Sequence, residues 1–189
     1  YVSYEALEQA FRLRLREHLG REAAEQNRLQ RNRSLHGGDP LVSCFVNDCL
    51  ARGRDVDQGG ARYNWIMPSF VGLANLADSF TAIRQLVYEQ RRLTLGQLAQ
   101  ALREDFRGQE PLLQYIRSRI PKYGNDDDAA DGVVGRITEW IMEETARLRT
   151  YRGDRFIPSL FCWVMHEALG SRTAATPDGR QRSFPLGDG

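Results

Sequence analysis

The sequence predicts a mostly α-helical fold with one or two β-strands. Three observations carry this. Apolar residues recur at spacings of three and four through most of the 189 residues. Glycine and proline clusters separate those stretches. Only one run, Phe156–Met165, has the β-prone, aromatic composition of a strand.

The first helix is read from Tyr4, Leu7, Phe11, Leu15 and Leu19, with Arg12, Arg14 and Arg16 on its wetter flanks. Gly20 is a weak point, but 22–35 can continue the helix. Gly37-Gly38-Asp39-Pro40 ends it, because glycine permits a left-handed turn and proline blocks continuation. Asp39 then caps a short helix with Pro40 in its first turn and Leu41, Cys44, Phe45 and Cys49 as its stripe. Residues 53–60 are a loop. The stretch 62–70 contains Pro68 and reads as extended or ordered loop. Leu73, Leu76, Ala77, Phe80, Ile83 and Val87 mark a strong helix, with Asp78 beside the stripe. Thr94 and Gln97 form a capping box for a helix bearing Leu95, Leu98, Leu102 and Phe106. A shorter helix covers 111–120. Asp126, Asp127 and Asp128 favour the positive end of a long helix that buries Val133, Ile137, Trp140, Ile141 and Leu148. In the predicted strand both faces are apolar, so it is expected to be buried on two sides, although no clear second strand accompanies it. Residues 170–189 read as loop.

Composition narrows the function. Formal net charge is +1, so no global field draws the chain to nucleic acid or anionic membrane. Of 26 basic residues only Lys122 is lysine. No apolar run is long enough to span a bilayer, and Tyr1 leads directly into a helix pattern without a signal peptide. Three cysteines, Cys44, Cys49 and Cys162, form no paired framework. They predict a reducing, cytoplasmic setting and buried structural thiols. Their spacing does not suit zinc, and no metal site is expected.

Individual candidates divide similarly. His18 reads as a solvated surface group and His36 as a helix-terminus cap. His166 leaves two readings open, a proton carrier or a hydrogen-bonded structural group. Asp126–Asp128 lack the ligand spacing of a calcium loop. Gly59-Gly60 and Gly37-Gly38 lack the lysine and hydroxyl of a phosphate loop. Arg12, Arg14 and Arg16 lack the interleaved aromatics of a nucleic-acid surface. No nucleophile, base and orienter can be assembled.

Five motifs carry more. They are Asp48-Cys49-Leu50-Ala51-Arg52-Gly53-Arg54-Asp55, Gly59-Gly60-Ala61-Arg62-Tyr63-Asn64, Val71-Gly72-Leu73-Ala74-Asn75-Leu76-Ala77-Asp78-Ser79, Pro121-Lys122-Tyr123-Gly124-Asn125-Asp126-Asp127 and Thr176-Pro177-Asp178-Gly179-Arg180. In this order and spacing they resemble the central region of the glycyl radical enzymes, the family of pyruvate formate-lyase and the radical diol dehydratases. The choline, glycerol and hydroxyproline lyase branch is the nearer one.

The resemblance implies a single segment, 1–189, of a ten-stranded α/β barrel domain, with an N-terminal helix over 1–36 and the family-matching region over 40–189. It implies a lyase or dehydratase, or a formate C-acetyltransferase-like enzyme, of anaerobic metabolism, of which this chain alone is not expected to be active. The family's Gly-Cys-x-Glu and Arg-Val-x-Gly-Tyr motifs do not occur here. No cofactor is therefore expected in this chain, the glycyl radical lying outside it, and no catalytic residue is assigned. The implied partners are the remainder of the polypeptide, a radical-SAM activating enzyme and further copies of the chain, with neither nucleic acid nor membrane. Phe161 and Trp163 would face inward and line the substrate pocket with His166; simple core packing of the two rings stands as the other reading. The Asp178 turn and the Lys122 loop are expected to be architectural, with Arg180 pinning its turn by an ion pair. The alternative function is a non-catalytic scaffold derived from the fold.

Overall fold

The computed structural model describes residues 1–160 and 164–187. Its helices are α1 (Tyr4–His36), α2 (Pro40–Phe45), α3 (Cys49–Arg52), α4 (Leu73–Ile83), α5 (Leu95–Arg103), α6 (Glu110–Arg119), α7 (Asp128–Ala146) and α8 (Met165–Gly170). A 3₁₀ turn, Val56–Gln58, follows α3, and a π-helical turn, Arg84–Glu89, extends α4. The chain forms two compact units. One gathers Tyr1–Glu8, Ser69–Trp140 and Ser159–Gly189; the other gathers Gln9–Pro68 and Ile141–Pro158.

Local signals hold well. α1 continues through Gly20, where a side chain would meet nothing within 4 Å. Asp39 caps α2 by accepting from Val42 N at 3.0 Å. Thr94 and Gln97 make the full capping box of α5. Asp127 accepts from Ala129 N and Ala130 N at the start of α7. The helix predicted through Val87 loosens instead into the π turn, which keeps Leu86 fully buried.

The core of the first unit joins Ala82, Leu86, Ala101, Phe106, Leu113 and Ile116. The α5–α6 connection is unusual, because Asp105 and Phe106 both have positive φ, 55° and 60°. A bulky residue holds that conformation only when its surroundings over-determine it. Here Phe106 is 1% exposed, and its N–H donates to Ala101 O at 2.8 Å.

The predicted strand is corrected. Among the described residues no multi-residue strand forms. Phe156 bridges Ile66 in the second unit and Ser159 bridges Ser69 in the first, both in parallel. Both bridges have the same offset of ninety residues (156 − 66 and 159 − 69), and the same offset aligns Pro158 with Pro68. Neither proline carries an N–H, so the ladder is interrupted at that step. Met165, assigned to the strand by composition, opens α8, with His166 next. The stretch 62–70, read as extended or ordered loop, supplies the partner residues Ile66 and Ser69. Cys49 is buried as expected, but Cys44 is exposed, since the short α2 turns it outward.

Ile116 is completely buried at the centre of the first unit's core. Replacing it with alanine is expected to lower the stability of that unit by about 3 kcal/mol in urea denaturation, the usual range for a core isoleucine truncation.

Candidate functional site

Motifs that lie far apart in sequence meet in space, and they do so as two polar clusters, one in each unit. In the first unit the centre is Asp178, 8% exposed. Its turn follows Pro177, and Gly179 takes φ 91°, a conformation in which a side chain would be strained and would also crowd Arg117 and Ile116. The Asp178 carboxylate accepts from Thr176 Oγ1, from Arg180 N at 3.2 Å and from Asn75 Nδ2 at 2.6 Å. Lys122 Nζ donates to the Asp178 carbonyl at 2.7 Å. Arg117 Nε donates to Gly179 O at 3.0 Å. α4 presents Asn75 and Asp78 three residues apart, hence on one face. Asp78 accepts from Tyr123 N at 2.8 Å. Three of the five motifs thus converge on one buried turn.

Arg180, also 8% exposed, pins this turn by a different means from the one expected. Its guanidinium donates to the carbonyls of Ala174, Gln181 and Phe184 and to Thr176 Oγ1. A planar fork with five donors suits several carbonyls better than a single carboxylate does.

The electrostatics of the cluster are set by burial. Desolvation pushes the Asp78 carboxyl up; the Tyr123 N–H and Lys122 oppose this, while Asp178 adds to it. Desolvation likewise pushes the Lys122 ammonium down, against the attraction of Asp78 and Asp178.

The second cluster lies around Asp48, which has φ 77° at the start of α3. Arg62 grips its carboxylate with two bonds, 2.8 and 3.1 Å, and Arg52 adds a third at 3.1 Å. These contacts, led by Arg62, hold the Asp48 carboxyl below its usual range. Arg52 also donates to Ala61 O at 2.9 Å. Asp55 accepts from Asp39 N, Ser43 Oγ and Asp57 N. Gly60 is required, since a Cβ there would collide with the Arg54 carbonyl. The remaining two motifs are therefore one hydrogen-bonded structure.

Arg12 and Arg16 do not face solvent as free cations. Both reach Glu144, whose side chain is 1% exposed, and Arg12 also pairs with Glu143. The Arg16 hydrogen bond leads in holding the Glu144 carboxyl below its usual range, against the cost of burial. Glu144 was not singled out in sequence because it occupies the apolar stripe of α7 beside Ile137 and Ile141.

Among the predicted pocket residues, Phe161 and Trp163 lie outside the described residues. His166 is half-buried in α8; its carbonyl accepts from Leu186 N at 3.2 Å, and its Nδ1 is buried with no hydrogen-bond partner among the described residues. His18 and His36 are exposed. A cleft of about 510 Å³ in the first unit is lined by Arg92, Gln97, Gln109 and Tyr115 and includes none of the motif residues. No helix among the described residues is long and apolar enough to cross a membrane.

Because the folded state raises the Asp78 pKa, its contribution to stability is most favourable below the ordinary aspartate range near pH 4 and is lost as pH rises through the raised value. Asp78→Asn keeps an acceptor for Tyr123 N and removes this loss. The stability of the variant relative to the parent is expected to improve between about pH 4 and pH 7, measured by urea melts at both.

Comparison with known proteins agrees with this geometry. The Pyruvate formate lyase-like family model matches residues 1–170. A probable dehydratase of Escherichia coli (strain K12) is 37% identical over 159 residues, covering 80% of this chain and 20% of the relative. Trans-4-hydroxy-L-proline dehydratase of Clostridioides difficile is 31% identical over 189 residues, all of this chain and 24% of its own. Its crystal structure with trans-4-hydroxy-L-proline bound superposes with a TM-score of 0.93 over the same shares. A glycyl radical enzyme from Archaeoglobus fulgidus is 33% identical, with a TM-score of 0.89 over 98% of this chain and 24% of that one. The chain spans about a fifth to a quarter of the length of these relatives. A chain whose motifs, fold and sequence all match in this way belongs to the pyruvate formate lyase-like family of glycyl radical enzymes.

Proposed function

We propose that this chain is a wall segment of a glycyl radical lyase or dehydratase. In this reading it shapes and shields a reaction whose radical-bearing residues lie outside it. The observation that carries the reading is the convergence of Asn75, Asp78, Lys122 and Arg117 on the Asp178–Gly179 turn. These groups bind backbone and one another. Such an arrangement holds loops in place and suits a rigid enclosure that keeps water from a reactive intermediate.

Two further observations support it. The likeness to hydroxyproline dehydratase runs over the whole chain at 31% identity. The sequence lacks both motifs on which the family's radical chemistry depends. The chemistry supplied from outside would be hydrogen-atom abstraction followed by loss of a leaving group. The chain's own part would be positional, with Phe161, Trp163 and His166 bordering the substrate. The implied partners are the remaining polypeptide, further copies of it and a radical-SAM activating enzyme. Exposed Leu41, Phe45 and Leu50, 71, 82 and 69% accessible, fit a surface that the rest of such a polypeptide would cover.

The test compares the isolated chain with the longest reading frame that contains it. Both are treated anaerobically with an activating enzyme and offered trans-4-hydroxy-L-proline, glycerol and (2S)-3-sulfopropanediol. The isolated chain is expected to be inert and the longer protein to turn over one of them. Turnover by the isolated chain would end the proposal.

A further inference from the structure

The segment 181–187 follows the Asp178 turn and lies along the first unit as a strap. Its backbone is tied at several points. Arg182 N donates to Asp105 Oδ1 at 2.7 Å, Ser183 N to Thr173 O at 3.2 Å and Leu186 N to His166 O at 3.2 Å. Gly170 leaves no room for a Cβ beneath Phe184 and Pro185, and Leu186 rests on Gly72. The final tie differs from the others, because Gly187 N donates to Asn75 Oδ1 at 2.5 Å. The other end of the same carboxamide, Nδ2, donates to Asp178 Oδ2 at 2.6 Å.

A primary amide has one accepting and one donating end. The Asp178 carboxylate already accepts from Thr176 Oγ1 and Arg180 N, so it presents an acceptor to Asn75. This sets the orientation of the amide. With Nδ2 turned to the carboxylate, Oδ1 must face the strap. An aspartate or a leucine at position 75 has the same shape but lacks one or both of these ends.

We propose that Asn75 is the positioning residue for the strap, and that it makes docking of 181–187 depend on Asp178 remaining a hydrogen-bond acceptor. This inference rests on contacts within the chain and is independent of the enzymatic reading above. The charged groups around the pair are Asp78 on the same helix, Lys122 from the loop after α6, Arg117 from α6 and Arg180 from the turn itself. The strap is thereby linked to the turn that three motifs hold, so an opening of the turn would release the segment that follows it.

Asn75→Asp in the 189-residue chain provides the test, read by hydrogen exchange. It places two carboxyls where the amide and carboxylate met; when both are ionised they repel and the contact opens, and a proton retained by one of them closes it again. Exchange of the 183–187 amides, corrected for intrinsic rate, is expected to be about tenfold faster than in the parent at about pH 7.5. It is expected to return near the parent rate at about pH 5, where one carboxyl of the pair keeps a proton and donates it. Asn75→Leu is expected to exchange faster at both values. The amides of α5 and α6 serve as the internal reference. Parent-like exchange of the strap in Asn75→Asp at both pH values overturns the proposal. So does acceleration in α5 and α6 equal to that in the strap at both values, which would show a bulk destabilisation instead.

Discussion

The constraint on which the first unit depends is the burial of the Asp178–Gly179–Arg180 turn. Its residues are all less than about a tenth exposed, yet they carry a carboxylate, a guanidinium and backbone groups belonging to no helix or strand. Buried polar groups without partners cost roughly 1–3 kcal/mol each, and more when charged. Every segment passing this turn therefore has to offer a partner. α4 offers Asn75, α6 offers Arg117, the loop beyond it offers Lys122, and Arg180 turns back on the carbonyls of its own loop. The apolar core around Ile116 supplies driving force for collapse. The polar turn decides which loops meet, because hydrogen bonds have direction and hydrophobic contact does not.

The same logic separates what was legible in the sequence from what was not. Caps were legible because their partners lie two or three residues away. Asp39, Thr94 with Gln97, and Asp127 all act locally. The link between Asn75 and Asp178 spans 103 residues and that between Lys122 and Asp178 spans 56. No periodicity encodes such pairings. What the sequence did show was their trace. Asp78 is an acid beside an apolar stripe, and Lys122 is a lone lysine among arginines. The motifs were recognisable as a family pattern before any of them had a physical partner.

Where the sequence misled, a competing effect was at work. The run from Phe156 to Met165 is apolar on both faces, but Pro158 and its in-register counterpart Pro68 remove two ladder donors. Its last residue, Met165, instead begins α8, where Glu167 and Ala168 favour helix. On α7, Glu144 was concealed by its own stripe, since a carboxylate among Ile137, Ile141 and Thr145 looks like an interruption. It is in fact the acceptor for Arg16 and Arg12 in the second unit.

Arginine and lysine do different work here, and the difference explains the single lysine. Arg180, Arg117, Arg52 and Arg152 each place a planar fork against one or more backbone carbonyls. A guanidinium can do this while staying charged, because its charge is spread and weakly hydrated. At position 122 the demand is narrower, with one carbonyl to reach and the carboxylates of Asp78 and Asp178 nearby. A compact ammonium meets it but loses more hydration on entry. The result is visible in both partners: burial weakens the acidity of Asp78 and the basicity of Lys122 more than their mutual attraction restores them. A pair shifted in that sense adds little net stability. Its effect is geometric, fixing Tyr123 N to α4 and the Asp178 carbonyl to the loop after α6. The wall-segment role proposed above would draw on this geometry more than on stability.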